Sequence, residues 1–230
     1  MSLPTLTGIS SMATRALLAE LSSAYEQRSG WRVAFESVGG VDAARRVAAG
    51  EAFDVIVLAA DAIDKLDAAG RVVTGSRVDL VRSGVSVAVR AGAAHPDIAS
   101  EEAVRRAVLG APTLGCSTGP SGVALMKLFE RWGIAQAMAP RIVQAPPGVP
   151  VAALVARGDA ALGFQQLSEL LDVQGIEVVG PLPVAIQIVT TFSAGVCAAS
   201  TQADAARALL DFLASPACAD AKRRQGMGPA

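Results

Sequence analysis

The chain has 230 residues, 52% hydrophobic and 18% charged, with a formal net charge of −1. That length and apolar content supply the core of one large domain or two small lobes and exclude a disordered chain. Lys and Arg gather in no block, which argues against nucleic acid and anionic membranes as partners, and no apolar run reaches the ~18 residues of a membrane span.

The first third reads as strand and helix in alternation. Residues 5–9 form a short strand. Ser10 and Ser11 follow and cap a helix over 13–28, whose Leu17, Leu18, Leu21 and Tyr25 recur at helical spacing before Gly30 stops it. A second strand over 32–36 leads through Ser37-Val38-Gly39-Gly40 into a short helix to Ala49, and Gly50 suits the position just past its end. The run 54–59 (DVIVLA) is almost wholly apolar, as in a strand buried on both faces. Asp61 caps a helix that Gly70 ends. This βαβαβα order implies a parallel sheet with right-handed crossovers.

Two strands, 77–82 and 85–90, come next, separated by Ser83-Gly84. Ser100, followed by Glu101 and Glu102, starts a helix to Leu109, because acidic side chains favour the positive end of a helix dipole. Residues 113–116 read as a buried strand. The turn Ser117-Thr118-Gly119-Pro120-Ser121-Gly122 then enters a helix bearing Val123, Leu125, Met126, Leu128, Phe129 and Trp132. A strand over 140–144, a turn over 146–150 containing Pro147 and Gly148, and a helix over 151–157 follow. A strand over 160–164 ends at Gln165-Gln166, a short helix spans 167–171, and another strand spans 177–182. A β-rich run over 187–199 returns the chain, and helices over 202–213 and 216–225 close it.

The expected class is α/β with two lobes, each a mostly parallel sheet flanked by helices. Lobe one comprises 1–82 plus 190–230 and lobe two 83–189, joined by a two-stranded hinge, with a ligand cleft between them. Ligands of open α/β sheets lie at the carboxyl ends of the strands. The first N–H groups of a helix lack internal partners, and its dipole favours an anion there. The candidate ligand-binding residues are therefore Ser10, Ser11, Ser37, Gly39, Gly40, Ser117, Ser121, Gly122, Gly148, Gln165 and Gln166. The same residues also fit ordinary capped βα turns.

Other chemistry is sparse. Cys116, Cys197 and Cys218 are far apart with no CxxC spacing; they form no disulfide framework, although one pair could close. The single histidine, His95, precedes a proline and reads as a loop residue, which speaks against zinc and against a Ser-His-Asp triad. No metal or other cofactor is expected. Glu36, Asp42 and Glu169 read as solvated or capping carboxylates, Cys116 as core, Phe129 and Trp132 as packing, and Arg77 and Arg82 as surface. The start of the chain has no basic n-region or apolar h-region, so the chain is expected to be periplasmic if a leader has been removed and otherwise cytoplasmic.

Several segments resemble the class II periplasmic solute-binding proteins, in their molybdate-binding branch. They are residues 8–21, Ala44-Arg45-Arg46-Val47-Ala48-Ala49-Gly50 with the 54–60 strand, the turn before Gly122, and 152–163. The resemblance spans essentially the whole chain. It implies the type II periplasmic-binding-protein fold and an anion held by neutral donors: serines of the first two turns, backbone N–H groups of the second lobe, and a tyrosine after the Gly163 strand. Ser10 or Ser11 stands for the first serine; the second falls on Gly39-Gly40-Val41 and the tyrosine near Gln166. A Gly-Gly turn keeps N–H donors but widens the pocket, which suits a larger ligand with planar carboxylates. The string 162–170 (LGFQQLSEL), with Arg77-Val78-Asp79-Leu80 and Ser121-Gly122-Val123, is similar to a subgroup that includes the bacterial aconitate isomerases.

Two functional classes follow. One is a binding module, expected to be a monomer, that captures a small anion, a molybdate-like oxyanion or a di- or tricarboxylate, for an ABC-type membrane transporter. The other is an isomerase that abstracts a proton next to a carboxylate, which needs a base within reach and donors for the developing charge. No catalytic residue is assigned from the sequence.

Overall fold

A computed structural model describes residues 3–146 and 148–230. Met1, Ser2 and Pro147, the last a part of the expected 146–150 turn, lie outside the described residues. The chain divides into two compact units, Met1–Arg82 with Thr191–Ala230, and Ser83–Thr190.

In the first unit, β1 (Thr5–Ser11) lies between β2 (Arg32–Val38) and β3 (Val55–Ala59) and runs parallel to both. Strand side chains alternate between faces. Leu6, Val55 and Val57 join Leu17, Leu18, Leu21 and Tyr25 of α1 (Arg15–Ser29) in one core cluster. Ile9, Ile56 and Leu58 join Ala43 and Val47 of α2 (Gly40–Ala48) and Ile63 and Leu66 of α3 (Ala60–Ala68) in another. Burial on both faces is why the 54–59 run is apolar almost throughout. Its one polar member, Asp54, is buried and satisfied: it accepts from the Thr7 N–H at 2.8 Å, the Thr7 hydroxyl at 3.0 Å and the Ser200 hydroxyl at 2.6 Å. The returning strand β9 (Val189–Val196) pairs antiparallel with β3, and α8 (Ala203–Ala214) and α9 (Ala219–Arg224) pack against the α1 side.

The region between 77 and 90 differs from the sequence expectation. Ser83-Gly84 does not separate two strands; one strand, β4 (Val78–Arg90), runs through. Gly84 answers a close approach instead of a turn, since a Cβ there would sit 3.2 Å from the Gln187 amide nitrogen. Strands β4 and β9 both continue from one unit into the other.

The second unit carries β5 (Leu114–Cys116) between β6 (Ile142–Gln144) and β7 (Leu162–Gln166), all parallel. Strands β7 and β8 (Ile176–Pro181) both pair antiparallel with β4, over Val85–Ala88 and Ser86–Arg90. Helices α4 (Glu101–Gly110), α5 (Pro120–Arg131), α6 (Ala135–Met138) and α7 (Val151–Arg157) flank this sheet. Ser100 caps α4, accepting from the Ala103 N–H at 3.2 Å. On α5, Leu125, Leu128 and Phe129 bury against Leu114 and Cys116; full burial of one such side chain contributes roughly 1.5–3 kcal/mol. Gly115 and Gly163 are register partners, and a Cβ on either would come within 2.9 Å and 2.5 Å of Val151 and Val155. Two facing glycines thus let α7 lie directly on the sheet.

Smaller differences have local causes. Ser37 and Val38 belong to β2, so the expected small-residue turn shrinks to Gly39, the residue before α2. Asp61 sits in the first turn of α3 and does not cap it. Residues 139–141 form a 3-10 turn, because Pro140 cannot donate to a strand ladder. A short terminal strand, β10 (Met227–Pro229), pairs with β4 and has no sequence signal.

Candidate functional site

Each unit places its candidate residues at the carboxyl ends of its parallel strands. In the first unit, the β1–β2 register sets Ser10 beside Ser37, with hydroxyl oxygens 2.8 Å apart. Ser10 is fully buried and Ser37 half-buried. The Ser11 hydroxyl accepts from the Ala13 N–H at 3.4 Å, capping a 3-10 turn, Met12–Thr14, that leads into α1. Gly39 precedes α2 and brings no side chain to its start, so the first-turn N–H groups keep no intrahelical acceptor. A Cβ on Gly40 would lie 3.8 Å from the Ser11 oxygen, which places the start of α2 beside the serines. The neighbouring carboxylates are engaged elsewhere. Asp42 pairs with Arg45, and Arg46 hydrogen-bonds Glu36 and holds its carboxyl below the usual range.

In the second unit, the Ser117 and Ser121 hydroxyls lie 3.2 Å apart, and the Gly119 N–H donates to the Ser117 hydroxyl at 3.3 Å. Pro120 opens α5. Gly122 is pressed against the preceding turn so closely that a Cβ would meet the Ser117 carbonyl oxygen at 1.8 Å. Gly148 is exposed, on a turn closed by the Val149 N–H and the Pro146 carbonyl.

Gln165 and Gln166 end β7 and are nearly fully buried. The Gln165 amide is used at both ends. Its oxygen accepts from the Val151 N–H at 2.8 Å, capping α7 where Pro150 has no side-chain acceptor, and its nitrogen donates to Glu169 Oε1 at 2.7 Å. Gln166 donates to the Thr190 hydroxyl at 2.8 Å, and its own Oε1 is buried without a protein partner. Turning that amide over would set the oxygen against Thr190 and leave the NH₂ as the unengaged donor.

Glu169 departs from the sequence expectation of a solvated or capping carboxylate. It is half-buried, in the 3-10 turn Leu167–Glu169, and burial pushes its pKa up to about 7 against the lowering effect of the Gln165 hydrogen bond. The signal available in the sequence was weak: Gln165 and Glu169 are four residues apart, after a strand. Thr190, which supports Gln166, had no signal of its own.

The remaining candidates keep structural roles. The three cysteines are free and buried, and burial raises the Cys116 thiol pKa. Trp132 stacks on Phe129 and donates to Glu101 at 2.7 Å. His95 is exposed and hydrogen-bonds Glu177 at 2.8 Å. Arg77 pairs with Asp64 at 2.8 Å and Asp79 at 3.1 Å. Among the described residues no cluster of three or more His, Cys, Asp or Glu could hold a metal ion, and no helix is long and apolar enough to cross a membrane.

Comparison with known proteins places this arrangement. Residues 6–228 match the family model described as bacterial extracellular solute-binding protein. A curated relative from Pseudomonas sp., named aconitate isomerase, is 39% identical over 231 residues, covering 98% of this chain and 88% of its own length. The Azotobacter vinelandii periplasmic molybdate-binding protein superposes with a TM-score of 0.82 at 18% identity, covering 98% of this chain and 99% of that one. The sulfate-binding protein of Mycobacterium tuberculosis superposes with a TM-score of 0.78 at 16% identity, covering 99% and 87%. The fold is therefore that of the type II periplasmic binding proteins, and the chain belongs to the bacterial extracellular solute-binding protein family.

Proposed function

We propose that this protein captures a small carboxylate anion and isomerises it, with an unsaturated tricarboxylate of the aconitate class as substrate. The observation that carries the reading is the pair of donor sets built from neutral groups: Ser10, Ser37 and the start of α2 in one unit, Ser117, Ser121 and the start of α5 in the other. Neutral hydrogen-bond donors hold an anion without burying a countercharge. Gly39 and Gly40 leave room beside the serines, and Gln166 in place of an aromatic side chain offers an amide to a planar carboxylate. The relative named aconitate isomerase, 39% identical over 98% of this chain, supports the substrate class.

A second reading, capture of a small anion for delivery to an ABC-type transporter by a monomeric periplasmic protein, draws on the names of the molybdate- and sulfate-binding fold neighbours. The two readings share the capture step and differ in turnover.

A thermal-shift screen tests them, using molybdate, tungstate, sulfate, phosphate, citrate, tricarballylate, and cis- and trans-aconitate. A ligand at a hundred times its Kd adds about 2.7 kcal/mol to a folded state that alone binds it. For a chain of this length that raises Tm by about 5–10 °C. The proposal expects this shift with the tricarboxylates. A shift with molybdate and tungstate alone would replace it by the transport reading.

A further inference from the structure

The shift of a double bond in an unsaturated tricarboxylate needs a group that takes a proton from one carbon and returns it to another. The candidate turns themselves are poor in such groups: the 117–122 turn has no Asp, Glu, Lys or His, and Asp42 and Glu36 are tied to arginines. Glu169 is different. It follows the carboxyl end of β7, the residue is half-buried, and its carboxylate accepts from a neutral group, the Gln165 amide at 2.7 Å. That amide is itself held by the Val151 N–H at 2.8 Å, so the carboxyl is positioned from the backbone outward. Gln166, the next residue, has a buried amide oxygen with no partner.

From this geometry we infer that Glu169 is the catalytic acid-base of the isomerisation and Gln165 its positioning residue; the inference rests on the isomerase reading above. Glu169, ionised, takes a proton from the allylic methylene of the substrate. The C–H bond breaks, the electron pair spreads over the allyl unit and the carboxylate beside it, and an O–H bond forms on Glu169. The same proton is then delivered to the other end of the allyl unit. The O–H bond breaks, a C–H bond forms, and the double bond has moved by one carbon, free to re-form with the opposite geometry. Nothing is oxidised or reduced, and no co-reactant is needed.

The surroundings suit that role. No titratable side chain lies on β7, on residues 144–150 or on the first six residues of α7. Leu170, next to Glu169, packs with Ala88 of β4 and Ala152 of α7. The charged groups of the neighbouring segments are Arg157, paired with Asp159, Asp172, Glu177, paired with His95, and Arg90 at the end of β4. Burial therefore sets the proton affinity of Glu169, near 7, where acid and base forms are both available at neutral pH. A bound tricarboxylate adds like charge and raises it further.

The test compares the parent protein with Glu169→Gln. Calorimetry gives Kd for trans-aconitate, and proton NMR gives the rate of cis-to-trans conversion across pH 5–9. We expect Kd to change less than about threefold while kcat falls at least about a hundredfold, the lower bound of a general acid-base contribution. In the parent, kcat/KM should rise with pH through a break near 7, with the break in kcat at higher pH. Gln165→Leu should lower kcat and displace the break while leaving trans-aconitate binding in place. If Glu169→Gln retains kcat within threefold, the assignment is overturned while the isomerase reading stands. If the parent binds aconitate and never converts it, the isomerase reading falls and the assignment with it. Should Glu169→Gln fail to fold, the parent profile decides: a flat kcat/KM between pH 5 and 9 overturns the role of Glu169.

Discussion

Ser10 and Ser37 stand at paired positions on adjacent parallel strands, with their hydroxyl oxygens 2.8 Å apart. One of the two protons is spent between them, and the other is left to donate outward, strengthened by the bond behind it. Ser117 and Ser121 repeat the arrangement at 3.2 Å across the start of α5. Where a pair donates to the ligand, loss of its hydroxyl should weaken trans-aconitate binding, and Ser37→Ala and Ser121→Ala test the two pairs separately. The expected loss is about tenfold to a hundredfold, the usual worth of a hydrogen bond to a charged group. Calorimetry reads this directly, and an unchanged Kd removes that pair from the site.

Two glycines, one within the first turn of α5 and one just before α2, should respond oppositely. A Cβ on Gly122 meets a backbone carbonyl at 1.8 Å, with no flexible side chain to yield. Gly122→Ala must displace the start of α5 and should cost about 3 kcal/mol or more, seen as a Tm fall of about 6–12 °C. Gly39 has φ −57° and ψ 134°, which alanine adopts freely, and nothing lies within 4 Å of its Cβ position. Gly39→Ala should leave Tm unchanged or raise it slightly, since it restricts the unfolded chain.

Glu169 makes stability depend on pH in a direction opposite to that of an ion-paired carboxylate. Burial raises its pKa to about 7 in the folded protein, against an ordinary 4.5. Below 4.5 both states are protonated and no difference arises. Between 4.5 and 7 the unfolded chain gives up its proton first, so stability falls as pH rises, and above 7 the loss is complete at about 3 kcal/mol. Glu169→Gln is neutral throughout and escapes this loss. Melting curves from pH 4.5 to 8 should show the variant gaining on the parent as pH rises; a constant gap would mean the carboxyl is well solvated.

The cysteines should be silent in the native state. Cys116, Cys197 and Cys218 are at most 1% exposed, and burial with the nearby Asp54 charge pushes the Cys197 thiol up to about 12. A thiol reagent at pH 8 should find no reactive group in folded protein and three in guanidinium. Rapid native labelling would contradict the packing around β5 and β9.

Periodicity and turn chemistry made much of the fold legible. The helix over 151–157 was readable because Pro150 precedes it and Gly158 ends it in a left-handed conformation. The 54–59 strand was readable because burial on both faces demands apolar residues throughout. The continuity of β4 was not: Ser-Gly reads locally as a break, and only the packing of Gln187 against Gly84 explains it. The short β10 depends on pairing with a distant strand and leaves no local pattern. In the site, serine and glycine types pointed to the turns, but hydrogen-bond partners were invisible. Gln165 caps a helix whose own N-cap is a proline, a relation across fourteen residues. The perturbed state of Glu169 arises from burial, which no spacing of charges encodes.

Turnover of an unsaturated tricarboxylate separates an isomerase from a protein that only captures its ligand. The most direct measurement is proton NMR of cis-aconitate at millimolar concentration incubated with micromolar purified protein. Trans-aconitate should accumulate well beyond one equivalent of protein, and the reverse reaction should reach the same final ratio. Saturable binding of cis-aconitate with no trans isomer formed beyond the protein-free control would contradict it.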